Sequence, residues 1–341
     1  MPEAEAKPKP TLKPALPKLS GRREGGSGRL LELVSKYGVL FALLASVVIF
    51  SALKPDVFFT WANMRAIFAQ VAPLGVLAFG LTIVLAMGDF DLSIAGMVGL
   101  GSAVTISLIA TDGLPYELAI LIALGVGVAG GLINGVLVAY AGASSFVITL
   151  AFSQVFQGAE FQISGQKTII EGIPKAYSEI ANGTGPFGIA NQFYIMLGVM
   201  LVLYLLLEQS KVGRQMYATG GNREAAHLAG VRVRELRLSG FVIVAVCAVV
   251  AAILISAQQS SYSPNMGQSY LLPSFAAAFL GAAVLKPGRF TILGTLVGAL
   301  LLEVIATGLI QLSLSSAAIL LIQGAILAIA VLLSRLGRNV R

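Results

Sequence analysis

Long apolar runs separated by short polar breaks make up most of the chain after residue 36. A helix that crosses the hydrocarbon core of a bilayer needs about 20 mostly apolar residues. Ten runs approach or reach this length, and some of the later ones are short or interrupted by Gly or Pro. The predicted spans are 37–53, 64–87, 92–111, 117–140, 145–161, 193–208, 238–259, 271–285, 290–310 and 316–333. We therefore predict an all-α, polytopic membrane bundle with about ten transmembrane helices.

The two ends of the chain do not share this apolar pattern. Residues 1–36 contain repeated Lys-Pro pairs and then the polar stretch GRREGGSGR. Such a composition buries too little apolar surface to offset the entropy of folding, so we predict a disordered basic tail. The resulting organisation is this tail, a transmembrane domain at 37–335 and a short tail at 336–341.

Composition strengthens the membrane assignment. Apolar residues make up 57% of the 341 residues and charged residues only 11%, and the mean hydropathy is +0.87. Soluble domains carry roughly 25% charged residues. These values exclude a soluble enzyme, a disordered chain and a disulfide scaffold.

The distribution of positive charge predicts the orientation. The N-terminal tail, the loop 209–237, the turn with Lys286 and Arg289, and the C-terminus together carry 19 of the 23 Lys and Arg residues. With ten spans all four segments lie on one side, which the positive-inside rule makes cytoplasmic. Both termini are therefore expected in the cytoplasm. The orientation in the membrane then explains the formal charge of +7, so the charge does not indicate a nucleic-acid partner and we expect none.

Few residues are suited to covalent or metal chemistry. Cys247 is the only cysteine and His227 the only histidine, so an intrachain disulfide is excluded and a His- or Cys-based metal site is improbable. The phosphate loop GxxxxGK[ST] is absent, so the chain itself is not expected to hydrolyse ATP. We predict a protein that is not an enzyme and that has no cofactor or metal.

The loop 209–237 contains a predicted short helix. A glycine pair at 220–221 breaks the chain, Asn222 can cap a helix by accepting a backbone N–H, and Gly230 can end it. Glu224 in the first turn suits the positive end of the helix dipole. The residues assigned to this element are Gly221, Asn222, Glu224, Ala225, Ala226 and Gly230. From the residues alone, a helix that docks on another protein and a basic loop held by anionic lipid are equally supported.

Several strings in this loop resemble a known family. The sequence EAA at 224–226, followed by Gly230, resembles the EAA---G element of ABC importer permeases. The strings GR at 213–214 and YATGGN at 217–222 resemble the ribose-type sugar permeases, a group that also includes branched-chain amino acid permeases. The resemblance implies that the short helix is a coupling helix that docks on a cytoplasmic ATPase.

The resemblance extends over residues 37–335. GDFDLSIAG at 88–96 is similar to the family's G-x-D-L-S-x-G string, with Ala95 where Gly is usual. At 271–273, however, Leu-Leu-Pro replaces an acidic pair that is common in ribose-type permeases, so the particular sugar stays open. The resemblance implies a type II ABC importer-like fold in a bacterial cytoplasmic membrane, and a monosaccharide or related polyol as solute. It further implies a second permease subunit (a homodimer), two ATPase subunits and a solute-binding protein on the outer side.

Polar residues within or beside the spans are candidates for the translocation pathway, because polar groups inside a membrane must find partners. The candidates are Asp91, Ser93, Asn134, Gln154, Gln157, Gln258 and Glu303. Asp89 and Asp91 lie at or near the predicted inner interface and are expected to stay hydrated, and Asp91 can also cap the third span. Hydrogen bonds between helices explain the amides equally well. Glu303 is expected to be the one carboxylate well inside a span. The outer segment 162–192 is either the docking face for the binding protein or a plain connection.

Other functions stay open at this level. An ion-coupled secondary transporter or channel needs coupling-ion ligands or a selectivity ring, of which only Glu303 gives an indication. A scaffold that docks a soluble partner without transport is a third class. Within the permease family, a nucleoside, an autoinducer-type sugar or a branched-chain amino acid are alternative solutes.

Overall fold

The computed structural model describes residues 26–284, 288–315, 317–322, 324–326 and 328. These residues are mostly helical, and among them two isolated bridges are the only β-type pairing. The helices are α1 (Gly26–Leu53), α2 (Trp61–Ala86), α3 (Ile94–Ala110), α4 (Tyr116–Ala139), α5 (Ser145–Ser164), α6 (Lys175–Asn182), α7 (Asn191–Tyr204), α8 (Lys211–Gly221), α9 (Arg223–Leu228), α10 (Val233–Gln259), α11 (Gln268–Ala282) and α12 (Ile292–Gln311). A π-helical turn, Leu205–Gln209, extends α7.

Local sequence explains where several of these helices begin. The Thr60 hydroxyl accepts a hydrogen bond from the Asn63 N–H at the start of α2, and Thr291 does the same for Gly294 at the start of α12. Each hydroxyl satisfies one of the backbone donors that a helix N-terminus leaves free. Gly165 ends α5 at its C-terminus, where it adopts the left-handed conformation with φ of +59°.

The core lies around α2, α3 and α10. α10 packs most extensively against α4, α2 and α3, while α11 packs against α12 and α3 against α5. Residues 71–86 of α2 are buried on every side, which explains why this segment is almost entirely apolar.

Small residues allow very close contacts between several of the described helices. A Cβ atom at Gly131 of α4 would lie 2.6 Å from the Cα atom of Val242 in α10. At Gly298 of α12 it would lie 2.2 Å from the carbonyl oxygen of Ala277 in α11. Helices in lipid associate through such close backbone packing.

The predicted all-α membrane bundle is confirmed. Five described helices are long and apolar enough to cross a membrane: α2, α4, Asn191–Gln209, α10 and α12. Shorter apolar helices occur at Tyr37–Leu53, Ile94–Ala110 and Ala317–Ile326. Helices coincide with the first nine predicted spans, whereas the tenth, 316–333, lies partly outside the described residues. The number of actual membrane crossings stays a prediction.

Two features of the chain differ from the sequence prediction. α1 begins at Gly26, so residues 26–36, which were expected in the disordered tail, are helical, and residues 1–25 and 336–341 lie outside the described residues. The loop after α7 is also more helical than expected, because α8 extends from Lys211 through the glycine pair and ends at Gly221. Ser210 explains the start of α8, since its hydroxyl accepts from the Gly213 N–H at 3.0 Å.

Contacts between helix ends agree with the predicted sidedness. The Glu208 carboxylate in the π-helical turn accepts a hydrogen bond from the Ile292 N–H at the start of α12, at 3.0 Å. At the opposite ends of the bundle, the side chain of Gln311 donates to Asn63 at 2.7 Å. Each pair joins the ends of two spans that ten alternating spans place on the same side. The orientation of the termini stays a prediction.

Candidate functional site

The short helix predicted in the loop 209–237 is present as α9, with the predicted cap. Asn222 is extended, and its side-chain oxygen accepts a hydrogen bond from the Ala225 N–H at 2.9 Å. Gly230 follows the helix with φ of +82°, a conformation that glycine adopts without strain. The Val231 N–H then bonds to the carbonyl oxygen of Ala226 at 3.0 Å. Both ends of α9 are therefore fixed by local contacts.

α9 presents most of its surface to solvent. Of the six residues assigned to the predicted helix, only Ala226 is buried. The exposed ones are Gly221, Asn222, Glu224, Ala225 and Gly230. The Leu228 side chain is 83% exposed, although it is large and apolar. An isolated helix of this length is unstable in water, so its cap and the buried Ala226 hold it in place. The exposed face is available for a partner.

α8 joins α9 to the end of α2 through a close backbone contact. A Cβ atom at Gly220 would lie 2.1 Å from the carbonyl oxygen of Ala86, so only glycine fits there without displacement. Thr219 and Met216 of α8 are buried beside this contact. Any shift of α8 and α9 therefore acts directly on the end of α2.

The segment between α2 and α3, residues 87–93, contains a buried ion-pair cluster. Asp89 is 1% exposed as a residue, and its carboxylate accepts two hydrogen bonds from Arg237, at 2.7 and 2.8 Å. Arg223, the first residue of α9, contacts the same carboxylate at 2.9 Å. Arg237 also donates to the carbonyl oxygen of Val138 at the end of α4, at 3.1 Å.

The expectation that the acidic residues of this segment stay hydrated is wrong. Asp89 and Asp91 are each 1% exposed. Arg223 at the start of α9 and Arg237 near the start of α10 contact Asp89 and supply it with opposite charge. The interval of 148 residues between Asp89 and Arg237 hides this pairing from the local sequence.

Three of the pathway candidates form one chain of hydrogen bonds. The Asp91 carboxylate accepts from the Ser93 hydroxyl at 2.6 Å, and the Ser93 hydroxyl accepts from the Asn134 amide at 2.8 Å. All three side chains are buried. Burial raises the pKa of Asp91 to about 6, and the hydrogen bonds from Ser93 partly oppose this rise. Asn134 Oδ1 has no hydrogen-bond partner among the described residues.

The capping arrangement at α3 differs from the prediction. Ser93 occupies the cap position itself, but its hydroxyl forms no capping bond with the first turn of α3. Asp91 instead accepts from the Ser93 N–H at 2.8 Å, one residue before the helix begins.

The other pathway candidates do not converge on this chain. Gln154 is exposed, Gln157 donates to the side chain of Asn265, and Gln258 is half-buried. Glu303 is half-buried in α12, where it accepts from the Thr307 hydroxyl at 3.3 Å. Gln154 and Gln157 lie on α5, Gln258 lies on α10 and Glu303 on α12. No hydrogen bond between any two of them is present among the described residues.

A carboxylate that the sequence did not single out is more buried than Glu303. Glu160, near the end of α5, is 1% exposed and accepts from the Tyr262 hydroxyl and the Asn265 N–H, each at 2.9 Å. A Cβ atom at Gly99 would lie 2.2 Å from this carboxylate, so the glycine provides its space. The sequence indicated Glu160 only through its position inside the predicted span 145–161.

Comparison with known proteins identifies the family. A family model described as "branched-chain amino acid transport system / permease component" matches residues 63–331. A ribose import permease protein of Bacillus subtilis (strain 168) is 33% identical over 304 residues, covering 89% of this chain and 94% of the relative. Its counterpart in Escherichia coli (strain K12) is 32% identical over 320 residues, covering 92% and 97%. A D-allose transport system permease protein of the same strain is 30% identical over 301 residues, covering 88% and 92%.

No solved structure matches the chain significantly. The chain belongs to this family of transport permease components. With its apolar helical bundle, it is a multi-pass membrane permease.

Proposed function

We propose that the chain is the transmembrane permease subunit of an ATP-driven ABC importer, and that it forms the pathway for a ribose-like monosaccharide or related polyol. The observation that carries this proposal is α9, a capped short helix that presents an exposed surface on the basic side of the bundle. The positive-inside rule makes that side cytoplasmic. An ATPase there could move α9 without entering the membrane.

The solute class is supported by the relatives and by the polarity of the spans. Curated relatives are named for ribose, D-allose and L-arabinose, which are all uncharged and rich in hydroxyl groups. The polar side chains of Ser93 and Asn134 suit such solutes, since hydroxyls and amides both donate and accept hydrogen bonds. We place the pathway candidates Gln154, Gln157 and Gln258 in the same role. A nucleoside, an autoinducer-type sugar or a branched-chain amino acid is the alternative.

The importer would be assembled from several chains in the bacterial cytoplasmic membrane. Two copies of this permease form the pathway, two ATPase subunits bind below, and a solute-binding protein docks at the outer segment 162–192. Both termini lie in the cytoplasm. ATP is hydrolysed on the ATPase chain.

The coupling step follows from the contacts of α9. Glu224, Ala225 and the exposed Leu228 form the face that enters a groove on the ATPase. When ATP binding closes the two ATPases, α9 moves and carries α8 with it. Because Gly220 lies against Ala86, the movement reaches the end of α2 and reorients the spans.

Uptake in proteoliposomes tests the proposal. The purified permease is reconstituted with and without its ATPase, binding protein and ATP, and entry of radiolabelled ribose, allose and arabinose is measured. We expect uptake only when all components are present. Uptake by the permease alone under an ion gradient would instead establish an ion-coupled secondary transporter. Glu303 is the residue that gives this alternative its support.

A further inference from the structure

One carboxylate joins four separate parts of the fold. Asp89 lies in the segment 87–93 between α2 and α3, and its partners are Arg223 at the start of α9 and Arg237 near the start of α10. Arg237 in turn bonds to Val138 at the end of α4. A single side chain thus connects the exposed short helix with the ends of three long helices.

The two arginines differ in their surroundings. The Arg237 side chain is 11% exposed and contacts Asp89 through two nitrogens, which fixes both position and orientation. The Arg223 side chain is 43% exposed and contacts Asp89 through one nitrogen, which also donates to the carbonyl oxygen of Gly88 at 3.1 Å. Arg237 is therefore the fixed support, and Arg223 is the contact that can shift with α9.

Asp89 is also tied to the polar groups of the segment that follows it. The Phe90 N–H donates to the Ser145 hydroxyl at 3.2 Å, and the Leu92 N–H donates to the Thr149 hydroxyl at 3.0 Å, both in α5. Asp91 begins the hydrogen-bond chain to Asn134 of α4. A displacement of Asp89 therefore acts on the starts of α3 and α5 together.

We propose that Arg223 and Asp89 form the joint that transmits the movement of α9 to the segment 87–93 and hence to the polar chain Asp91–Ser93–Asn134. This inference rests on the proposed function, since it assigns a route to the same coupling step. Arg223 and Asp89 are positioning residues: neither contacts the solute, and neither is required for the ATPase to bind. The Gly220 contact transmits movement only to the end of α2. The Arg223–Asp89 ion pair also transmits it to the starts of α3 and α5.

The test uses the complete reconstituted importer with Arg223→Gln, which removes the charge from a half-exposed side chain. We expect normal ATPase association and ATP hydrolysis, but solute uptake per ATP hydrolysed should fall about tenfold, a typical strength for coupling between sites. Arg223→Lys keeps the charge and should retain most of the wild-type ratio. Arg232→Gln is the matched control, because the Arg232 side chain is 80% exposed and its ion pair, at 3.5 Å, is with the exposed Glu235.

Three outcomes are distinguishable. A reduced ratio with intact ATPase association, rescued by Lys, supports the joint. If Arg223→Gln leaves the uptake per ATP hydrolysed unchanged, the joint is overturned and the importer function stands. The same conclusion follows if the variant loses ATPase association but the complexes that remain show an unchanged uptake per ATP. Absence of ATP-dependent uptake by the wild-type complex rejects the proposed function itself. Asp89→Asn, checked for folding by thermal unfolding, should reproduce the effect of Arg223→Gln.

Discussion

Arg237 and Asp89 meet through two hydrogen bonds of 2.7 and 2.8 Å, although 148 residues separate them in the chain. The contact fixes the start of α10 against the segment between α2 and α3. It is buried, since the two side chains are 11% and 2% exposed. Removal of only one partner of such a buried ion pair destabilises the fold strongly, because it leaves an unpaired buried charge.

We predict that Arg237→Met destabilises the fold by about 3 kcal/mol, because Asp89 would keep a buried charge with only the half-exposed Arg223 beside it. Thermal unfolding in detergent measures the loss. The double variant Arg237→Met with Asp89→Leu should be more stable than Arg237→Met alone, since it leaves no unpaired carboxylate. Equal or greater destabilisation of the double variant would contradict this account.

Gly220 gives a second prediction, because a Cβ atom there would lie 2.1 Å from the carbonyl oxygen of Ala86. Gly220→Ala should displace α8 at a cost of about 1–3 kcal/mol and weaken ATPase binding, which co-purification measures. The control is Gly198→Ala in α7, where no neighbouring atom lies within 4 Å of the added Cβ. Wild-type ATPase binding by Gly220→Ala would show that the close contact is not needed.

The cap of α9 gives a third prediction. Asn222→Ala removes the acceptor of the Ala225 N–H, a loss of about 1 kcal/mol, and should weaken ATPase binding roughly fivefold. Asn222→Ser keeps an oxygen at the cap and should bind nearly as tightly as the wild type. Titration of detergent-solubilised permease with the ATPase gives both affinities. Equal affinities for the Ala and Ser variants would exclude a role for the cap.

Asp91 gives a prediction about pH. Burial raises its pKa from 3.8 to about 6, so between these values the folded chain holds the proton more tightly than the unfolded chain. Stability is therefore highest below the unfolded value and falls as pH rises through this window. The total change is about 3 kcal/mol, at 1.36 kcal/mol for each pKa unit.

The measurement compares the unfolding temperature of the wild type with that of Asp91→Asn across the window. The variant lacks the titrating group, so its stability relative to the wild type should rise with pH up to about 6 and then stay level. A constant difference between wild type and Asp91→Asn at every pH would contradict the prediction.

The helices and the cap of α9 were predictable because their causes are local. An apolar run of membrane length specifies a helix wherever it packs, and Asn222 finds its Ala225 donor three residues away. The start of α1 was misjudged because Gly is a poor helix former and Ser a weak one, so the local sequence at residues 26–28 gave no signal for a helix.

By itself, the sequence determined the all-α bundle, its apolar spans, the capped helix α9 and the resemblance that the family match confirmed. Only the tertiary structure decided that Asp89 pairs with Arg223 and Arg237, that Asp91 is buried, and that Ser93 and Asn134 join it while Gln154 and Glu303 lie elsewhere. The physical reason is range. Caps and periodicity act over a few residues, whereas burial and ion pairing depend on which helices pack together.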